Sequence, residues 1–90
     1  MDLQDYRKEI DRIDRELVAL FVRRMEVSAG IAAYKQAHGL PVLDAAREQA
    51  KLQQVAELAP EQLRPDTAEL YRTLFALSRG YQQRLQEEQA

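Results

Sequence analysis

Asp44, Arg47 and Glu48 fall within one helical turn of the segment LPVLDAAREQAKL, residues 40–52. An acid, a base and a second acid at that spacing could hold a small polar molecule. A guanidinium takes a carboxylate through its planar fork of donors, and a carboxylate accepts from a hydroxyl. A second group lies upstream. When Leu3, Ile10, Leu17, Arg24 and Ile31 are read as one heptad position, Arg24 stands where an aliphatic residue belongs. Arg24, Ser28, Ile31 and Lys35 then share one helix face about three turns long. Downstream, Ser78 interrupts an apolar stripe and Gln82 sits one turn further along it.

Each of these residues has a structural account of its own. Asp44 is a good N-cap. Arg24 could fix helix register through a buried ion pair, or snorkel. Serine in a helix is often satisfied by the carbonyl four residues back. Together they are harder to dismiss. A cationic pair on one helix, an acid-base-acid turn opening a second and Ser-Gln on a third all lie on faces that should meet. That pattern describes a positively charged pocket in a helix bundle, suited to a small dianion.

The elements that must position these residues are helical. Glu, Arg, Ala, Leu and Gln are plentiful, and there are only three Gly and three Pro, so the chain reads as all-α. Apolar residues alternate at three and four from Leu3 to Tyr34, predicting a first helix over about residues 2–36. A second is expected over about 44–58, with Leu52, Val55 and Ala59 on one face. After Pro60, a third opens at Pro65 and Asp66 and covers about 66–87. Its stripe is Tyr71, Leu74, Ser78, Tyr81 and Leu85. The closing QEEQA, residues 86–90, reads as a fraying, solvated end. The 90 residues make a single domain, 1–90.

The first helix is too long for so small a chain. At 1.5 Å per residue it spans roughly 50 Å, whereas a compact monomer of this size is roughly 30 Å across. Its apolar seam needs a partner, and a symmetric homodimer is the simplest one.

Several function classes are excluded or disfavoured. A net charge of -2 offers no footprint for nucleic acid, and no apolar run approaches a membrane span. The absence of cysteine removes disulfide and thiolate chemistry and fits a cytoplasmic protein. His38, beside Gly39, is the only histidine; it reads as a solvated loop residue and cannot make a metal site alone.

Four segments, YRKEIDRIDRELVALFVRR, AAYK, LPVLDAARE and LFALSRGYQ, carry a resemblance in their order and separation. From about Tyr6 to Gln82 the chain resembles the all-helical chorismate mutases, intertwined homodimers of three-helix subunits. The resemblance implies a Claisen rearrangement of chorismate to prephenate, in the Phe/Tyr branch of aromatic amino acid biosynthesis (the shikimate pathway). It also implies an isomerase that needs no metal or cofactor. By position, Arg24 and Arg47 would hold substrate carboxylates, with Arg7 coming from the other subunit. Lys35 and Gln82 would hydrogen-bond the ether oxygen whose bond breaks. Glu48, with Asp44 near it, would hold the ring hydroxyl, and Ser78 would assist at a carboxylate. Helix geometry supports a shared site independently: Arg7 and Lys35 are roughly 42 Å apart along one helix, too far for one small ligand. The chain departs from the family pattern at Phe75, bulkier than the usual pocket wall, at Arg79, where an apolar residue is common, and at Gly80. Two other readings are open. One is a lyase removing pyruvate from isochorismate on the same scaffold; the other is a non-catalytic dimeric module, marked by Arg24 paired with an acid across the dimer and by no cavity.

Overall fold

A computed structural model describes residues 1–89 of the chain. Helix α1 covers Leu3–Ala37, α2 covers Ala45–Leu58 and α3 covers Arg64–Glu88, with a short 3-10 turn at Glu61–Leu63 leading into α3. The described residues contain no strand. None of the helices is long and apolar enough to cross a membrane.

Local chemistry accounts for the helix ends. α1 starts in a reciprocal capping box: Asp5 N–H donates to Asp2 Oδ1 at 2.9 Å, and Asp2 N–H donates to Asp5 Oδ2 at 3.1 Å. It ends at Gly39, whose φ of +65° is a left-handed conformation that only glycine adopts without strain. There Leu40 N–H donates to Lys35 O at 2.8 Å and Gly39 N–H to Gln36 O at 3.4 Å. This paired pattern closes a helix and turns the chain back. α2 is capped by Asp44, which accepts from Arg47 N–H at 3.1 Å. α3 begins at Arg64, two residues before the expected start at Asp66, because the 3-10 turn runs straight into it and Pro65 falls in its first turn, where a missing N–H costs nothing.

α3 packs against α1 on one side and α2 on the other. Arg24 of α1 lies against Tyr71 and Phe75, Ser28 meets Ser78, and Ala32 meets Gln86. The paired numbers rise together, so α1 and α3 run parallel while α2 returns between them in sequence.

Only the C-terminal half of α1 is covered in this way. The molecule measures 54 × 27 × 14 Å with a radius of gyration of 16.3 Å, against about 12 Å for a compact chain of this length. Along the uncovered half, Leu3, Ile10 and Leu17 remain 61%, 55% and 55% exposed. The interior is correspondingly thin. Ala32, Val55 and Phe75 are the buried apolar residues among those described, matched by three buried polar ones, Ser28, Ser78 and Gln82.

One expectation is corrected. Residues 86–90 do not form a solvated end throughout, since α3 continues to Glu88 and Gln86 Nε2 donates to Ala32 O at 3.0 Å in a half-buried contact with α1. Ala90 lies outside the described residues.

Candidate active site

A cavity of about 310 Å³ lies where the three helices meet. Of the eight residues singled out in the sequence, seven line it. Arg24 and Lys35 come from α1. Asp44, Arg47 and Glu48 come from the start of α2, and Ser78 and Gln82 from α3. Arg7 does not line the cavity; it is exposed on the uncovered half of α1.

α1 contributes its two cations by periodicity, and each is held in place. The Arg24 guanidinium lies 6.0 Å from the Tyr71 ring centroid and 5.7 Å from that of Phe75, within reach of cation–π attraction. Those two rings meet edge to face at 6.0 Å and 68°, so Phe75 builds the wall that carries Arg24. Lys35 Nζ donates to Val42 O at 2.7 Å. The glycine turn at the end of α1 makes that bond possible by bringing residue 42 back over the last turn of the helix.

Neither cation has a carboxylate partner. The ion pairs among the described residues are Arg12–Glu9, exposed within α1, and Arg79–Glu48, between α3 and α2. Arg47 and Lys51 also line the cavity outside any ion pair. Arg24, Lys35 and Lys51 are half-buried and Arg47 is exposed, and half-buried cations outside ion pairs are costly unless an anion completes them. Among the described residues, Arg24 makes no ion pair within the chain.

Glu48 and Arg79 are both half-buried and both line the cavity, and Arg79 Nη1 donates to Glu48 Oε1. One carboxylate oxygen is thereby fixed and the other is left available. Asp44 is placed similarly, its Oδ1 taken by the Arg47 N–H.

Ser78 and Gln82 are the most deeply buried of the seven, at 8% and 6% exposure. Ser78 Oγ shares a 2.8 Å hydrogen bond with Ser28 Oγ and accepts from Gln82 Nε2 at 3.2 Å. Gln82 Oε1 has no protein partner, an arrangement that costs about 1–3 kcal/mol where a buried acceptor stays unsatisfied.

Arg79, Val42 and Lys51 belong to the cavity and were not among the sequence candidates. Arg79 stood out only as a departure from a family pattern; its position next to Ser78 was the available signal. Val42 contributes a backbone carbonyl, which no side-chain pattern reveals. No group of His, Cys, Asp and Glu among the described residues could hold a metal ion.

Fold and cavity together define a small all-helical bundle with a cationic pocket between its helices. The family model described as chorismate mutase type II matches residues 6–83, and the chain belongs to that family. Its similarities to individual proteins run the same way. It is 37% identical over 79 residues to the intracellular chorismate mutase of Mycobacterium tuberculosis, covering 88% of this chain and 70% of that protein. The same figures hold for the intracellular chorismate mutase of Mycobacterium bovis. It is 47% identical over 51 residues to the T-protein of Haemophilus influenzae, but those residues are 57% of this chain and only 14% of that much longer protein. No solved structure matches at a significant level.

The Arg79–Glu48 pair bridges two helices yet stays partly solvated, so its expected contribution is small. A thermal-unfolding cycle of Arg79→Ala, Glu48→Ala and the double variant is expected to give a coupling below about 1 kcal/mol. A larger value would make the pair a structural staple rather than part of the site.

Proposed function

We propose that the chain is a chorismate mutase, converting chorismate to prephenate on the phenylalanine and tyrosine branch, and that it works as a homodimer with active sites shared between subunits. The observation that carries the reading is an excess of cations over acids: Arg24, Lys35, Arg47 and Lys51 line one small cavity outside any ion pair, beside two acids, Asp44 and Glu48. A dicarboxylate is the complement they call for. The family and the relatives named chorismate mutase point to the same reaction. A non-catalytic module, marked by Arg24 paired with an acid across the dimer, would leave no cavity here, whereas one of about 310 Å³ is present.

The rearrangement is intramolecular: the carbon–oxygen bond of the enolpyruvyl ether breaks as a carbon–carbon bond to the ring forms. No atom leaves, so no nucleophile or proton donor has to be consumed. The site must fold the side chain over the ring and stabilise the negative charge that grows on the ether oxygen. Arg24 and Arg47 take carboxylates, and Arg7 of the partner subunit adds a third guanidinium, spreading charge that would otherwise repel. Arginine suits these places through its bidentate fork. Lys35, anchored through one proton by Val42 O, retains two donors for the ether oxygen. Because that anchor is set before the ligand arrives, little reorganisation is needed as charge develops. Gln82 donates to the same oxygen, Ser78 assists at a carboxylate, and the Glu48 oxygen not held by Arg79, with Asp44 beside it, accepts from the ring hydroxyl.

The same geometry supports the dimer. Arg7 sits on the uncovered half of α1, where Leu3, Ile10 and Leu17 are exposed. A second α1 laid along that seam buries the leucines and isoleucines and carries Arg7 toward the neighbouring cavity. The absence of cysteine is in keeping with action in the cytoplasm.

Two outcomes test this. Lys35→Ala is expected to lower kcat by about a hundredfold or more with the circular dichroism spectrum unchanged; normal turnover in the folded variant would remove Lys35 from the reaction. Mixing Arg7→Ala with Arg24→Ala chains, each nearly inactive alone, is expected to restore about a quarter of wild-type activity. Half of the dimers then carry one intact site. No recovery, with mixed dimers demonstrated, would place Arg7 outside the site.

A further inference from the structure

Glu48 has a cation nearer in sequence than the one it pairs with. Lys51 stands three residues further along α2, is also half-buried and also lines the cavity. A glutamate followed by a lysine at that spacing is a favourable pair on a helix surface. That pair does not form. Glu48 meets Arg79, 31 residues away on α3, and Lys51 Nζ donates to the neutral Gln54 Oε1 at 3.1 Å.

The choice matters because a carboxylate is a liability in a pocket for a dianion. It competes with the ligand for the same donors, and each cation it takes is one the ligand loses. Asp44 is restrained by its cap, with Oδ1 accepting from the Arg47 N–H at 3.1 Å. The Glu48 side chain has no backbone partner; its one protein partner is Arg79. Arg79 reaches it from another helix and supplies the restraint that the backbone supplies to Asp44. Lys51 and Arg47, on the helix that carries Glu48, are thereby left outside any ion pair.

We propose that Arg79 is a positioning residue: by holding Glu48 toward α3, it keeps that carboxylate from closing on Lys51 and leaves the cations of α2 open to the carboxylates of the ligand. The inference rests on the mutase reading and deepens it. The substrate carboxylates persist unchanged through the rearrangement, so loss of Arg79 falls on KM rather than on kcat.

The test measures KM and kcat for chorismate, and the calorimetric Kd of prephenate, for wild-type protein, Arg79→Ala, Arg79→Met, Arg79→Lys, Glu48→Gln and Arg79→Ala combined with Glu48→Gln. Arg79→Ala is expected to raise KM and Kd about five- to tenfold, the worth of roughly one hydrogen bond to the ligand, with kcat within about twofold. Arg79→Met keeps the apolar stem without the charge and should behave like alanine, which separates the effect from lost packing. Arg79→Lys keeps a cation beside Glu48 and should recover most of the loss. In the Glu48→Gln background, where no carboxylate needs restraint, Arg79→Ala should change Kd by no more than about twofold. A guanidinium that touched the ligand, or merely added charge to the pocket, would cost the same in both backgrounds, and that result overturns the inference. So does an unchanged KM in Arg79→Ala, a fall in kcat as large as the rise in KM, or a methionine variant that matches wild type. Wild-type protein that converts no chorismate and binds no prephenate would overturn the mutase reading itself, whereas the other failures leave that reading standing.

Discussion

The structure depends on the length of one helix. α1 runs for 35 residues, and α2 and α3 are long enough to cover only its C-terminal half. Everything that forms a site in this chain is on the covered half: Arg24, Ser28 and Lys35 face α3 and the start of α2. The uncovered half keeps its apolar seam and Arg7. A helix that had been cut to the size of its own bundle would satisfy its hydrophobic residues and lose any means of reaching a second cavity. Length therefore links two features that look separate, the exposed seam and a guanidinium far from the pocket.

Within the covered half, the core is thin and partly polar, and that balance defines what the pocket can do. Three polar side chains are as buried as the three apolar ones, and cations project beside them. The aromatic rings at Arg24 and the Val42 carbonyl at Lys35 hold the donors apart, so that their charge is in place before a ligand arrives. The site differs from an ordinary polar core in one respect: the acids present are already committed in part. Glu48 is shared with Arg79, and Asp44 caps α2. The cations are left in excess, and a dianion restores the balance.

Much of this was legible in the residues. Three helices followed from the spacing of apolar positions; Arg24 and Ser78 stood out because they broke that spacing, Lys35 and Gln82 because they lie on the same faces, and Asp44, Arg47 and Glu48 as an acid-base-acid turn. The structure places all of them around one cavity. What periodicity could not express is pairing across helices. The Arg79–Glu48 bond joins residues from α3 and α2, and the Ser28–Ser78 bond joins α1 to α3; nothing in either local sequence names the other partner. The backbone carbonyl of Val42 is invisible for a different reason, since every residue carries one. Phe75 looked like an oversized wall residue until its ring was found against Arg24. Gln86 lay in a polar tail that composition alone marks as solvated, yet its amide finds the Ala32 carbonyl.

The central claim is that a cavity of unpaired cations, Arg24 foremost, turns chorismate into prephenate. The most direct measurement is loss of chorismate absorbance on adding purified protein, with product identified as prephenate and with Arg24→Ala run beside it. Rapid conversion by the wild type, abolished in a variant that remains folded, is the predicted result. No conversion of chorismate by a folded, dimeric wild-type protein would contradict the account, and release of pyruvate from isochorismate in its place would make the same pocket a lyase.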